Sequence, residues 1–294
     1  MSDHPSEWIP ALESAARRAG EKIMKIHAEG VEAEFKKDGS PVTEADRMAE
    51  EEILEALSST APQVPVVSEE NAASHRISPP DRFFLVDPLD GTKEFLKPDG
   101  QGSFTVNIAL IEKEEPVLGI VYAPALDRMF YGFKGGGAQE KTLEKEGSIT
   151  VRQVPSSGPL AVASRSHRNE ETNRWLEEHQ IKETVSIGSS LKFCLVACGE
   201  ADVYPRFGPT MEWDTAAGDA VLRGEADQTE NTALFWASAE DVLRRTDAGE
   251  VTVIFPTRRN LERLALFSDF ESARLHAQEV PVRMVLTYVE QRED

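Results

Sequence analysis

A chain of 294 residues, 40% hydrophobic and 29% charged, is long enough to bury a large core and too apolar to be disordered along its length. Its 32 basic residues are outnumbered by 52 acidic ones, and a net charge of −20 repels nucleic-acid backbones and anionic membrane surfaces. No stretch approaches the roughly 20 apolar residues of a membrane helix, and Met1 to Glu7 lacks the basic region and apolar run of a signal peptide, so the expectation is a cytoplasmic protein with no nucleic-acid partner and no integral membrane segment.

The composition leaves peripheral association with the inner face of a membrane open. It is also compatible with a small phosphorylated substrate, because a divalent cation held by carboxylates reverses the charge that a phosphate meets locally.

In chain order, residues 10 to 28 carry Leu12, Ala15, Ala16, Ala19, Ile23, Met24 and Ile26 at helical spacing. Glu34 to Val42 reads as an extended stretch broken by a turn at Asp38-Gly39-Ser40-Pro41. A second helix starts at Thr43, an N-cap with Asp46 three residues on, and runs through Ile53 and Leu57 to Ser58-Ser59. The period then shortens. Val64 to Val67 and Phe83 to Val86 predict strands, each ending in acids, and Ser103 to Ile111, Val117 to Ala123 and Arg128 to Phe133 predict an antiparallel meander. Gly135-Gly136-Gly137 lacks the lysine and the helix of a phosphate loop and reads as a turn.

A boundary is expected near Pro155 to Pro159, giving an α+β lobe over residues 1 to 157 and an α/β lobe over 158 to 222. In the second lobe Leu160 to Ala163, Thr184 to Ile187 and Ala201 to Pro205 predict strands, and Asn169 to His179, Ser190 to Gly199 and Asp214 to Leu222 predict helices. The two cysteines, Cys194 and Cys198, lie four apart in an apolar stretch, which places them on one helix face as small core residues.

Asp87-Pro88-Leu89-Asp90-Gly91-Thr92 follows directly on an apolar strand. Two carboxylates three apart, with a backbone carbonyl between them, offer hard oxygen ligands of the kind that select Mg²⁺, Mn²⁺ or Ca²⁺. Taken singly, each acid has a plain explanation: Asp-x-x-Asp is common in turns, and Asp214 suits the start of a helix through the helix dipole.

Together these segments resemble the inositol monophosphatase superfamily of lithium-sensitive, magnesium-dependent phosphatases. The resemblance is carried by Thr43-Glu44-Ala45-Asp46, Val67-Ser68-Glu69-Glu70, Asp87-Pro88-Leu89-Asp90-Gly91-Thr92 and Trp213-Asp214-Thr215-Ala216-Ala217-Gly218, in that order, over about residues 10 to 222. Within it, Phe84 to Phe95, Ser164-Arg165-Ser166-His167, Ile187 to Cys194 and Tyr204 to Thr210 are most similar to the bacterial 3′(2′),5′-bisphosphate nucleotidases of sulfur metabolism.

The resemblance implies an α/β fold of the inositol monophosphatase/fructose-1,6-bisphosphatase type, a layered α/β/α/β/α sandwich. It implies two or three Mg²⁺ ions held by Glu69, Asp87, the Leu89 carbonyl, Asp90 and Asp214, and an attacking water oriented and deprotonated by Thr92 with Asp46 or Glu69. It implies removal of the 3′-phosphate from adenosine 3′,5′-bisphosphate, with Gly91 and Thr92 at the substrate and with His167, Ser189, Lys192 and Arg206 contacting the nucleotide and its second phosphate.

The residues by themselves leave other readings. Lys192 and Arg206 also read as solvated charges, Ser189 as a helix cap and His167 as a loop histidine. An inositol monophosphatase or sugar phosphatase, a catalytically silent metal- or phosphate-binding homologue, and a calcium-stabilised module all use the same acids. After Leu222 the family pattern is lost: residues 223 to 294 form a divergent segment, with strands predicted at Val251 to Phe255 and Val280 to Tyr288 and a helix at Asn260 to Ala277.

Overall fold

The computed structural model describes residues 4–30, 33–35, 41–76, 80–97, 102–164, 168–225, 243–244 and 246–248. The chain divides into two units, Met1–Leu234 and Phe235–Asp294, and the architecture below belongs to the first. The tail elements predicted at 251–255, 260–277 and 280–288 lie outside the described residues, as does His167.

Helix α1 (Ile9–Glu29) buries Leu12, Ala16, Ala19 and Ile23, the stripe that its apolar spacing predicts. Two short antiparallel strands follow, β1 (Glu34–Phe35) and β2 (Pro41–Val42). Helix α2 (Glu44–Thr60) begins with a capping box, in which the Thr43 side chain accepts the Ala45 amide and the Asp46 carboxylate accepts the Thr43 amide at 2.7 Å. Its inner face, Ala45, Ala49, Ile53 and Leu57, packs with α1.

The centre is a seven-stranded sheet in sequential order: β3 (Val66–Ser68), β4 (Arg82–Asp90), β5 (Thr105–Glu112), β6 (Glu115–Ala123), β7 (Arg128–Phe133), β8 (Gly137–Lys141) and β9 (Glu146–Ser148). The one-turn helix α3 (Thr92–Phe95) lies between β4 and β5. β3 runs parallel to β4, and every later pair is antiparallel, so the predicted meander is present.

Side chains alternate across this sheet. Phe84, Val86, Leu118, Ile120 and Tyr122 join the core under α1 and α2, while Leu85, Val121 and Ala123 join the core on the other face. A sheet covered on both faces reads as continuous apolar runs, which is what β4 and β6 show.

Beyond that second face the parallel pair β10 (Leu160–Ser164) and β11 (Glu183–Ile187) flanks α4 (Glu170–Glu178) in sequence, followed by α5 (Leu191–Ala197) and α6 (Ala216–Glu225). The whole is the layered α/β/α/β/α arrangement. Cys194 is buried in the inter-layer core and Cys198 caps α5, as small core residues.

The close approach of α6 to the sheet depends on Gly119. A side chain on this β6 residue would collide with the Ala217 carbonyl of α6, so only glycine lets the helix settle.

Besides β4, which runs on past Val86 to Asp90, three elements differ from the sequence expectation. Ala201 to Pro205 is no strand, and only an isolated bridge joins Val203 to Ala161, because a single paired residue fixes too little backbone for a ladder. The helix expected to start at Asp214 starts at Ala216, after a 3-10 turn over Glu212–Asp214. The Gly135-Gly136-Gly137 turn leads into a hairpin, β8 and β9, that polar sequence concealed. Among the described residues no helix is long and apolar enough to cross a membrane.

Candidate metal centre and active-site cavity

In an unbroken strand, residues three apart point to opposite faces. Asp87 and Asp90 escape this because β4 continues past Val86 through a bulge: Asp87 lies opposite Asn107 and Asp90 opposite Thr105, three residues of β4 against two of β5. Pro88, which has no amide hydrogen to give the ladder, sits in the irregular stretch. One extra residue thus restores both carboxylates to one side, at the rim of a cavity of about 950 Å³.

Three acids converge there from three elements. Glu69 stands just past β3, Asp87 on β4 and Asp214 at the end of the 3-10 turn before α6, and each offers a carboxylate oxygen within 4.8 Å of the others. Asp90, the Leu89 backbone and Thr92 line the same cavity, and the Thr92 hydroxyl donates to the Leu89 carbonyl at 3.2 Å. Gly91, left-handed at φ 87°, turns the chain from β4 into α3 directly at the cavity wall.

Hydrogen bonds hold the acids in place. Asp87 accepts the Leu89 amide at 3.1 Å, while Asp214 accepts the Thr210 hydroxyl at 2.8 Å and the Met211 amide at 3.1 Å. The Ser190 amide donates to Asp90 at 2.5 Å.

The electrostatics identify what the cluster fits. Burial, reinforced by Glu69, Asp90 and Asp214, pushes the Asp87 carboxyl well above the ordinary range. Burial and then Asp214 push Asp90 up to about 7, with Lys192 opposing. Carboxylates that cannot all ionise alone are stabilised together by a bound cation, and an all-oxygen donor set suits a hard one. The residues therefore fit a divalent metal.

Asp46 is buried and turned toward Thr43, whose amide and hydroxyl both donate to it at 2.7 Å; burial still raises its carboxyl to about 6. It does not line the cavity, whereas Glu69 and Thr92 do.

The later part of the chain adds Lys192 and Arg206 to the Arg47 and Lys93 that the earlier part brings to the cavity. Ser189 adopts a left-handed backbone, φ 52°, and its carbonyl accepts the Lys192 ammonium, a buried group that also lies 5.1 Å from the centre of the Tyr204 ring. Burial lowers the Lys192 ammonium to about 8, offset by Asp90 and lowered further by Arg206. The Arg206 guanidinium donates to the carbonyls of Gly208 and Pro209. Ser189, Lys192 and Arg206 all line the cavity.

Sequence reasoning missed His75. A carbonyl only accepts, so Nε2 of His75 is protonated and donates to the Ser68 carbonyl at 2.8 Å; its ring stacks on Trp213, with centroids 4.9 Å apart. One side chain thus joins the backbone beside Glu69 to the residue beside Asp214. No local pattern in Asn71 to Arg76 announces this, since the partners are 7 and 138 positions away.

Residues 4–227 match the model of the inositol monophosphatase family, and the chain belongs to that family. Over 209 residues it is 50% identical to a protein of Salmonella typhimurium strain LT2 named 3′(2′),5′-bisphosphate nucleotidase CysQ, covering 70% of this chain and 83% of that one. The Escherichia coli K12 protein of the same name is 47% identical over the same coverage. Among solved structures, CysQ of Bacteroides thetaiotaomicron aligns with a TM-score of 0.62 at 41% identity, covering 73% of this chain and 85% of that one. An inositol monophosphatase of Thermotoga maritima aligns at 0.59 and 26%, covering 72% and 81%. Enzymes of this family are metal-dependent, and the carboxylate cluster is where a metal fits among the described residues.

Proposed function

We propose that this chain is a Mg²⁺-dependent phosphomonoesterase that removes the 3′-phosphate of adenosine 3′,5′-bisphosphate, giving AMP and phosphate. The observation that carries this reading is the single cavity that combines the Glu69, Asp87 and Asp214 carboxylates with the cationic Lys192 and Arg206. An anion needs the second set, and a metal needs the first. The names of the relatives described above support the nucleotide as substrate.

In this reading Glu69, Asp87, Asp90, Asp214 and the Leu89 carbonyl hold the metal. Mg²⁺ bound there would lower the pKa of water and neutralise charge on the leaving oxygen, which removes the need for a covalent nucleophile. Thr92, its hydroxyl already oriented by the Leu89 carbonyl, positions the attacking water, and Glu69 accepts its proton. Asp46 keeps α2 capped close to Glu69 and Glu70, a supporting place in the same acid network. The backbone at Gly91 and Thr92 faces the reacting phosphate. Lys192 and Arg206 hold the second phosphate, for which the guanidinium fork is well matched, and Ser189 contacts the nucleoside.

Phosphate release from adenosine 3′,5′-bisphosphate and from inositol 1-phosphate, with Mg²⁺, tests this for the intact chain, Lys192→Ala and Arg206→Ala. The nucleotide is expected to be preferred, with each substitution lowering its kcat/KM at least about tenfold, the factor for losing roughly 1.4 kcal/mol of binding, while sparing the inositol ester. Equal losses on both substrates contradict the assignment of Lys192 and Arg206. Preference for the inositol ester would keep the chemistry and change the substrate, and metal binding without release from either would mark a silent homologue.

A further inference from the structure

Behind Asp90 lies a buried polar chain that crosses between layers. Thr105 and Asn107 sit on β5 opposite Asp90 and Asp87, and Ser190 begins the segment that leads into α5; all three are at most 2% exposed. Ser190 Oγ lies 2.6 Å from Asn107 Oδ1 and 2.9 Å from Thr105 Oγ1. An amide oxygen only accepts, so the single Ser190 hydroxyl proton points to Asn107, and Thr105 must be the donor to Ser190.

Asp90 fixes the amide of Asn107, because a carboxylate oxygen only accepts and must therefore meet Nδ2. With Oδ1 turned to Ser190, its Nδ2 faces Asp90 Oδ2 at 3.5 Å, and the same Asp90 oxygen receives the Ser190 backbone amide at 2.5 Å. The donors therefore run in one direction, from Thr105 through Ser190 and Asn107 to one carboxylate oxygen. Polar side chains this deep in a core carry a desolvation penalty unless they are fully paired, and here the pairing ends on a functional carboxylate rather than closing on itself.

We propose that Thr105, Ser190 and Asn107 are positioning residues for Asp90: they commit Oδ2 to the protein and leave Oδ1 as the oxygen offered to the divalent cation. The inference rests on the reading of Asp90 as a metal ligand given above. It also gives the 188–192 segment a second role, since the residue next to Ser189 steers the metal carboxylate. A chain serving only the core would change stability when cut and leave metal affinity alone.

Calorimetric titration of the metal-free protein with Mn²⁺, without nucleotide, reads this directly in the full chain, Ser190→Ala, Ser190→Thr, Asn107→Leu and Asp90→Asn. Ser190→Ala and Asn107→Leu are expected to weaken Mn²⁺ binding about tenfold, the lower end of what outer-shell partners contribute, and Ser190→Thr, which keeps the hydroxyl, to stay within about twofold of the parent. The Mg²⁺ concentration for half-maximal phosphate release should rise in parallel, with the nucleotide KM at saturating Mg²⁺ unchanged. Should Asn107→Leu fail to fold, Ser190→Ala, which removes one oxygen, carries the test. Parental Mn²⁺ affinity in folded Ser190→Ala, with Asp90→Asn weakened, overturns the positioning role. No Mn²⁺ binding by the parent, or none lost in Asp90→Asn, overturns the metal assignment itself.

Discussion

Asp46 and Asp90 carry carboxyls lifted to about 6 and about 7 from an ordinary 3.8, first by burial and then, for Asp90, by Asp214. An acid whose pKa is raised on folding binds more protons folded than unfolded between the two values, so stability falls as pH rises through that window. The metal-free protein should therefore lose melting temperature steadily from about pH 4 to pH 7, and Mg²⁺ should remove the part of the slope that Asp90 contributes by favouring its ionised form, leaving the Asp46 part; a scan of Tm against pH with EDTA and with Mg²⁺ checks both. His75 makes a second residue-scale prediction. His75→Ala deletes both the bond to Ser68 and the stack on Trp213, and should raise the Mg²⁺ needed for half-maximal phosphate release several-fold with a change in Tm of only a few degrees. At this scale the sequence was legible where a residue acts through its neighbours: the Thr43 cap and its Asp46 partner follow from spacing alone. His75, Asn107 and Ser190 were not, because their roles depend on partners distant in the chain.

Helix α6 brings the Asp214 end of the cluster to the sheet, and its distance from β6 is set at Gly119. Gly119→Val places branched carbon against the Ala217 backbone, where a helix rather than a side chain would have to move; it should destabilise by about 1 to 3 kcal/mol and weaken metal binding more than a surface control of equal stability. On the other layer, Phe84 is fully buried against Trp8, their rings 5.6 Å apart, and Phe84→Ala should cost about 3 to 5 kcal/mol in denaturant melts without altering metal affinity in the folded fraction. Element boundaries were readable where the apolar period was strong, as in α1, α2 and β5 to β7. They failed where pairing decides: β4 was expected to stop at Val86, yet the bulge at Asp87 to Asp90 keeps it in the sheet, and Ala201 to Pro205 looks strand-like but finds only one bridge partner.

Over the whole molecule, the net charge of −20 argues against polyanion partners, yet it is compatible with a phosphate-handling site because the acids at the cavity are compensated by metal and by Lys192 and Arg206. A metal that binds only the folded state stabilises it by mass action, about 2.7 kcal/mol at a concentration 100 times the Kd, so Tm should climb with the logarithm of added Mg²⁺, and the climb should begin only at higher Mg²⁺ in Asp214→Asn. The layered fold was accessible from the sequence chiefly through the order of four short motifs and the β-then-α alternation, not through composition. The side chains that join the layers were not accessible, since packing and register place them. Whether the carboxylate cluster is a working metal centre is decided by phosphate release from adenosine 3′,5′-bisphosphate against Mg²⁺ concentration for the intact chain and Asp87→Asn. Saturable Mg²⁺-dependent release that falls by at least about a thousandfold in the variant, roughly 4 kcal/mol of transition-state stabilisation, is the predicted result. Release that persists in Asp87→Asn, or that needs no divalent ion, would rule out the carboxylate cluster as the metal centre.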